Sequence, residues 1–181
     1  MPSLITHAVA AAALGQAAPP ETRRDRRFWV AAIACSCLPD IDVLGFAFGV
    51  PYDSLWGHRG MTHSLAFAVA SGVAAAALLR GRRGFDARLA ALLSLIAASH
   101  GFLDAFTDGG LGIAFFAPFS GARYFFAWRP IRVSPIGLAP FLSRRGLSVL
   151  LSEALWVWPP ALALGAALKA FSDARARPKP G

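Results

Sequence analysis

Charge is scarce in this chain. Only 15% of its 181 residues are Asp, Glu, Lys or Arg, where soluble domains carry about 25%. With 56% apolar residues and a mean hydropathy of +0.51, disorder is excluded. An ordinary cytosolic globule is disfavoured, because so few polar groups could not cover its surface. Cysteine is limited to Cys35 and Cys37. Two residues apart on a helix they point about 200° apart, which argues against a shared metal and for two small buried apolar residues. A Gly-rich phosphate loop, a G-x-S-x-G elbow and a repeat of fixed period are all missing, which removes the P-loop, serine-hydrolase and solenoid classes. No Lys or Arg precedes the first apolar run, which argues against a cleaved secretory signal.

Long uninterrupted apolar runs are also rare. Leu4–Ala18, Phe28–Leu38, Ser64–Leu79 and Leu89–Ala98 all fall short of the roughly 20 residues of a perpendicular span. Leu147–Ala170 is long enough, but it contains Glu153 and the pair Pro159-Pro160, which predicts a kink or a break.

What charge there is has one dominant sign, eighteen Lys and Arg against ten Asp and Glu, for a net +8. The basic clusters sit between apolar runs, the usual arrangement for anionic headgroups, so membrane lipids are the expected partners. They do not interleave with aromatics along a polar face, which disfavours nucleic acid. The length suits one domain. The expectation is an all-α, membrane-embedded bundle of about five helices near 3–18, 27–38, 62–80, 86–107 and 147–169. Between the last two lies an irregular segment rich in Gly, Pro and aromatics, 109–140, with Tyr124 and Trp128 near an interface. Residues 1–171 form the single domain and 172–181 a basic, frayed tail.

All four histidines, His7, His58, His63 and His100, lie beside apolar runs. Asp40 and Asp42 follow one helix end, where a turn could aim both carboxylates at one point. A helix through 100–108 would align His100, Asp104 and Asp108 at i, i+4 and i+8. Thr62 is a candidate N-cap that places His63 in the first turn of the next helix. Each residue alone has an ordinary reading as an interfacial histidine, a cap or a turn former. Together they point to a shared metal or proton site, because ionisable groups in apolar segments are costly.

If the basic loops 23–27 and 80–88 share one face, every candidate ligand falls at the opposite end. Twelve Lys and Arg then lie on the loop-and-tail face and six on the site face, so the positive-inside rule turns the site outward.

His7, Leu38-Pro39-Asp40-Ile41-Asp42, His58-Arg59-Gly60-Met61-Thr62-His63-Ser64, the run His100 to Thr107 and Pro118-Phe119-Ser120 resemble, in that order, the bacterial inner-membrane metal-dependent hydrolases. These are also called YdjM-like or LexA-regulated membrane proteins. The resemblance covers residues 1–145 and implies a multi-pass inner-membrane protein with a His/Asp metal site. Asp108 departs from the pattern, which more often has an uncharged polar residue there, so a ligand role for it is in doubt. The metal set is then His7, Asp40, His58, His63, His100 and Asp104, for one or two divalent ions, zinc first among them. The matching chemistry is hydrolysis of a phosphoester or lipid-like envelope substrate by metal-activated water. Asp42 or Asp108 is a candidate general base, and Arg59 and Arg123 are candidates to neutralise an anionic substrate. The competing readings are a metal transporter and a non-catalytic protein with a structural metal. Transport needs ionisable residues spread through the depth of the membrane, and these gather at one end.

Overall fold

The computed structural model describes residues 1–81 and 84–177. Among these residues, eight α-helices account for the regular structure: α1 (Leu4–Leu14), α2 (Pro20–Arg23), α3 (Arg26–Cys37), α4 (Leu65–Arg80), α5 (Ala87–Ala105), α6 (Leu138–Phe141), α7 (Arg144–Trp156) and α8 (Trp158–Ala176). Short-pitch 3-10 turns occupy Gly15–Ala17, Leu38–Phe48 and Met61–His63. The helix starts are capped by Ser3, Asp25, Ser64, Asp86 and Ser143, whose side chains accept from the first-turn amides.

Four of the five expected helices stand with small changes of boundary, and the fifth is two. The prolines at 159 and 160 fall in the first turn of α8, where a missing N–H costs nothing, and α7 meets α8 at a bend of 42°. Ser64, not Thr62, caps α4, so His63 belongs to the preceding 3-10 turn rather than to the helix. Helix α5 ends at Ala105, which removes Asp108 from the stripe of His100 and Asp104. Helix α8 runs through Ser172 and Asp173 into what the sequence suggested was a frayed tail, and Asp173 there pairs with Arg23 and Lys169. Residues 178–181 lie outside the described residues. The segment 109–137 is irregular, held by two isolated bridges, Thr107 with Ile131 and Ile113 with Tyr124.

The core forms where α4 and α5 run antiparallel against α3 and α1, around Phe28, Leu93 and Ile96. A Cβ at Gly72 would sit 2.3 Å from the Ser94 amide nitrogen. Only glycine lets the two backbones approach so closely, the packing device of membrane helices. Helices α1 and α8 run in the same direction: Trp158 Nε1 donates to Thr6 Oγ1 at one end (2.8 Å) and Ser172 Oγ to the Ala18 carbonyl at the other (2.9 Å). Helix α5 opposes both. His7 meets its C-terminal half, while Ala18 shares a crevice with Leu89 near its start.

Outward faces are apolar, with Val30, Leu78, Leu95 and Leu162 all well exposed. Two segments, Arg26–Phe48 and Ala87–Ala105, are long and apolar enough to cross a membrane, and the bent α7–α8 pair makes a third if counted as one span.

Candidate metal centre

At the end of the bundle opposite the Ala18 crevice, seven side chains from four parts of the chain converge. His7 comes from α1, Asp40 and Asp42 from the 3-10 run after α3, His58 and His63 from the turns before α4, and His100 and Asp104 from α5. His7, His100 and Asp104 are fully buried, and Asp40, Asp42, His58 and His63 nearly so. The expected pairing of Asp40 with Asp42 at one point does not occur. In a 3-10 run of three residues per turn, positions i and i+2 point about 240° apart, so the two carboxylates reach opposite nitrogens of His63, Asp40 facing Nε2 and Asp42 facing Nδ1.

Four polar atoms face one another in the seam. His63 Nε2 lies 3.1 Å from His100 Nε2, 3.7 Å from Asp40 Oδ1 and 3.6 Å from Asp104 Oδ2. His100 Nε2 lies 3.4 Å from Asp40 Oδ1. Ligand atoms around a tetrahedral ion bound at 2.0–2.1 Å are separated by about 3.3 Å, close to these four spacings; the groups whose ligand atoms all lie within 4.8 Å of one another are His7, His100 and Asp104 on one side and Asp40, His58 and His63 on the other. The surrounding hydrogen bonds aim the imidazoles for that role. His100 Nδ1 donates to the Ser36 carbonyl (2.7 Å), which leaves Nε2 of the neutral ring with its lone pair facing the seam. The Thr62 hydroxyl is spent on Asp42 Oδ2 (2.7 Å), so His63 Nδ1, 3.2 Å from the same oxygen, acts as a donor and its Nε2 also faces inward as an acceptor. Two lone pairs and two carboxylates do not hold one another together without a metal cation or an added proton between them. Both oxygens of Asp40 and of Asp104 lack a hydrogen-bond donor in the protein, as do both nitrogens of His7. Buried polar atoms without partners are uncommon and call for an explanation.

The remaining residues orient this set. His7 stacks flat on His100, with ring centroids 3.8 Å apart, and its Nε2 lies 3.5 Å from Asp104 Oδ1. Asp42 accepts from His58 Nδ1 (2.7 Å), the Arg59 amide (3.2 Å) and Thr62 in addition to facing His63, so it joins two imidazoles from behind rather than facing the seam. Arg59, with φ of +66°, is completely buried. Its terminal nitrogens are spent on the Gly109 and Leu111 carbonyls and on Thr107 Oγ1, and its Nε lies 3.2 Å from Asp104 Oδ2. Arg123 likewise ties four loop carbonyls, those of Tyr52, Ser54, His58 and Gly112. Neither guanidinium is turned outward to meet a substrate. Asp108 lies outside the cluster, accepting from the Val133 amide (2.8 Å).

Three carboxylates thus gather around the Arg59 guanidinium and the Met1 amino group, which lie 3.2 Å and 4.0 Å from Asp104 Oδ2. Burial by itself would lower the His63 imidazole, but the Asp40 and Asp42 hydrogen bonds and the Asp104 charge outweigh it and push it up to about 9.

Sequence reasoning passed over Ser36, Thr62 and Thr107 as partners of the site, and nothing local marks a Ser or Thr that meets a distant imidazole, carboxylate or guanidinium. Glu153 was visible as a costly charge in an apolar run. It is wholly buried against the start of α1, accepting from the Ser3 amide (2.5 Å), Ser3 Oγ (2.6 Å) and Thr6 Oγ1 (2.8 Å), and so anchors the helix that carries His7.

The family model described as YdjM inner membrane protein matches residues 1–175 of the chain. The inner membrane protein YbcI of Escherichia coli (strain K12) is 39% identical over 172 residues, covering 91% of this chain and 95% of that protein. No solved structure matches. With a membrane-type helical bundle and a buried His/Asp cluster at one end of it, the chain belongs to the YdjM inner membrane protein family.

Proposed function

We propose that the protein is a multi-pass, membrane-bound metal-dependent hydrolase that binds zinc or a similar divalent ion through His63, His100, Asp40 and Asp104. The observation that carries the reading is the 3.1 Å approach of two imidazole acceptors between carboxylates that lack donors. His7, beside the second oxygen of Asp104, and His58, beside Asp40, extend the set enough for one ion or a carboxylate-bridged pair. When bound, such an ion lowers the pKa of water towards 7 and polarises a phosphoryl or acyl oxygen.

The chain's own residues hold the remaining roles. Asp42 fixes the donor tautomer of His58 and His63 and is the acceptor nearest to them for a proton. Arg59 is a positioning residue that compensates Asp104 and ties it to the 107–111 turn; it does not itself meet substrate. The preferred substrate is a phosphoester or lipid-like envelope molecule. The burial of His7, His100 and Asp104 favours a second reading, a structural metal with no open coordination position.

Metal analysis of the detergent-purified protein, together with hydrolysis of bis(p-nitrophenyl) phosphate, tests both. Bound metal with metal-dependent turnover supports the hydrolase, bound metal without turnover favours the structural reading, and absence of metal from wild-type protein overturns both.

A further inference from the structure

Beside the metal centre lies an apolar groove of about 360 Å³. Its walls come from the same helices that supply ligands. Ala10 and Leu14 lie one and two turns beyond His7 on α1, and Leu103 and Phe106 flank Asp104 at the end of α5. The opposite wall is the bend between α7 and α8, running from Trp156 to Leu164. Because α1 and α8 run in the same direction and α5 opposes them, the groove has a defined axis. Phe106, Trp128 and Trp156 form its upper end, level with the metal centre, and Leu14 and Leu164 its lower end, about 10 Å further into the bundle by the rise of α8.

The two ends differ in chemistry. Trp128 and Trp156 meet edge to face at the top, with centroids 5.2 Å apart, and both remain about half exposed, as indoles at a bilayer interface do. Arg129 and Arg132 bracket the lining residues Pro130 and Ile131, and both are exposed. The Arg129 guanidinium lies over the Phe125 ring at 4.8 Å, and neither arginine pairs with a carboxylate among the described residues. Leu147, Leu151 and Leu155 form an exposed stripe at i, i+4 and i+8 on α7 that leads to Trp156, so this helix presents an apolar edge at the same level. An apolar slot with two indoles at its rim, and two exposed arginines without carboxylate partners on the chain segment that supplies Pro130 and Ile131 to its wall, complements one molecule class, an anionic phospholipid with its phosphate near those arginines and an acyl chain in the slot.

We propose that this groove is a specific site for an anionic phospholipid, with Arg129 and Arg132 holding the headgroup phosphate and Ala10, Ala161 and Leu164 contacting the chain. The site stands apart from the hydrolase reading and needs no metal.

The test uses the full chain in nanodiscs of phosphatidylcholine containing a minor fraction of lipid brominated on its acyl chains, with quenching of tryptophan fluorescence as readout. A Trp128→Phe/Trp156→Phe variant identifies the contribution of the rim pair. Brominated phosphatidylglycerol should quench that pair at least twofold more than brominated phosphatidylcholine at the same fraction. Arg129→Gln with Arg132→Gln should abolish the difference, and Ala161→Phe, which fills the slot, should reduce quenching by both lipids, in protein that keeps its wild-type elution volume. Chelation of metal should leave all of these values unchanged, so failure of the hydrolase reading and failure of this one are separately visible. Equal quenching of the wild-type protein by the two lipids, or quenching indifferent to Ala161→Phe, overturns the proposal and leaves only bulk bilayer in the groove.

Discussion

His63 and His100 approach each other through Nε2 atoms 3.1 Å apart, and in the neutral rings neither atom carries a proton to share, because the opposite nitrogen of each ring faces an acceptor. A cation or an added proton must lie between them. That condition links the composition of the site to its pH and metal dependence.

Replacing His63, His100, Asp40 or Asp104 singly by Ala should reduce metal in the purified protein to less than half of wild type, read by elemental analysis. Asp108→Ala should leave it unchanged, since Asp108 is bonded to the Val133 amide away from the seam. Wild-type stoichiometry in both His63→Ala and Asp104→Ala would show that no shared site exists.

Asp42→Asn keeps the shape of the residue behind His58 and His63 but removes its charge. Loss of such an outer partner typically weakens binding about 10–100-fold. Competition with a zinc chelator should show a fall of that size without loss of the folded protein; an unchanged affinity would remove Asp42 from the site.

In the metal-free protein the folded His63 imidazole lies at about 9, above its unfolded value of about 6.5. A group raised on folding stabilises fully below its unfolded pKa, and the contribution disappears as pH rises through the folded one. Chelated protein should therefore melt at progressively lower temperature from pH 6.5 to 9, and His63→Gln should flatten that slope. Zinc competes with the same proton, so its affinity should rise over the same interval.

Glu153→Ala would strip the acceptors from the Ser3 amide, Ser3 Oγ and Thr6 Oγ1 in a buried setting. Hydrogen bonds to a charged group are worth about 1.5–3 kcal/mol each, so a loss of about 3 kcal/mol after relaxation is expected. Thermal unfolding in detergent measures it. Because α1 carries His7, metal affinity should fall as well, whereas a wild-type melting temperature would show that this contact does not hold α1.

For sidedness, the positive-inside rule applied to twelve basic residues on one face against six on the other predicts a site turned outward. In a background lacking Cys35 and Cys37, Gly121→Cys should react with an impermeant thiol reagent in intact cells, and Phe85→Cys should not. Gly121 has open space around it and Phe85 is well exposed, so neither result is confounded by packing. Reversed labelling would place the site on the cytoplasmic side.

The membrane class, the run of helices and the identity of the clustered residues follow from the sequence alone. Apolar length and charge scarcity are local properties, and ionisable groups in apolar segments are too costly to retain without a partner. That is why His7, Asp40, His63, His100 and Asp104 could be singled out although Asp40 and Asp104 are 64 residues apart. Only the tertiary structure decided what each does. Whether Ser64 or Thr62 caps α4 depended on a 3-10 turn whose last residue, His63, is held by partners from α5 and from the run after α3. Whether Arg59 met substrate or Asp104 depended on carbonyls some 50 residues away. Glu153 found its partners 147 and 150 residues upstream. Helical periodicity places a side chain on a face of its own helix, and the neighbour across that face is chosen by packing between helices, which no local pattern encodes.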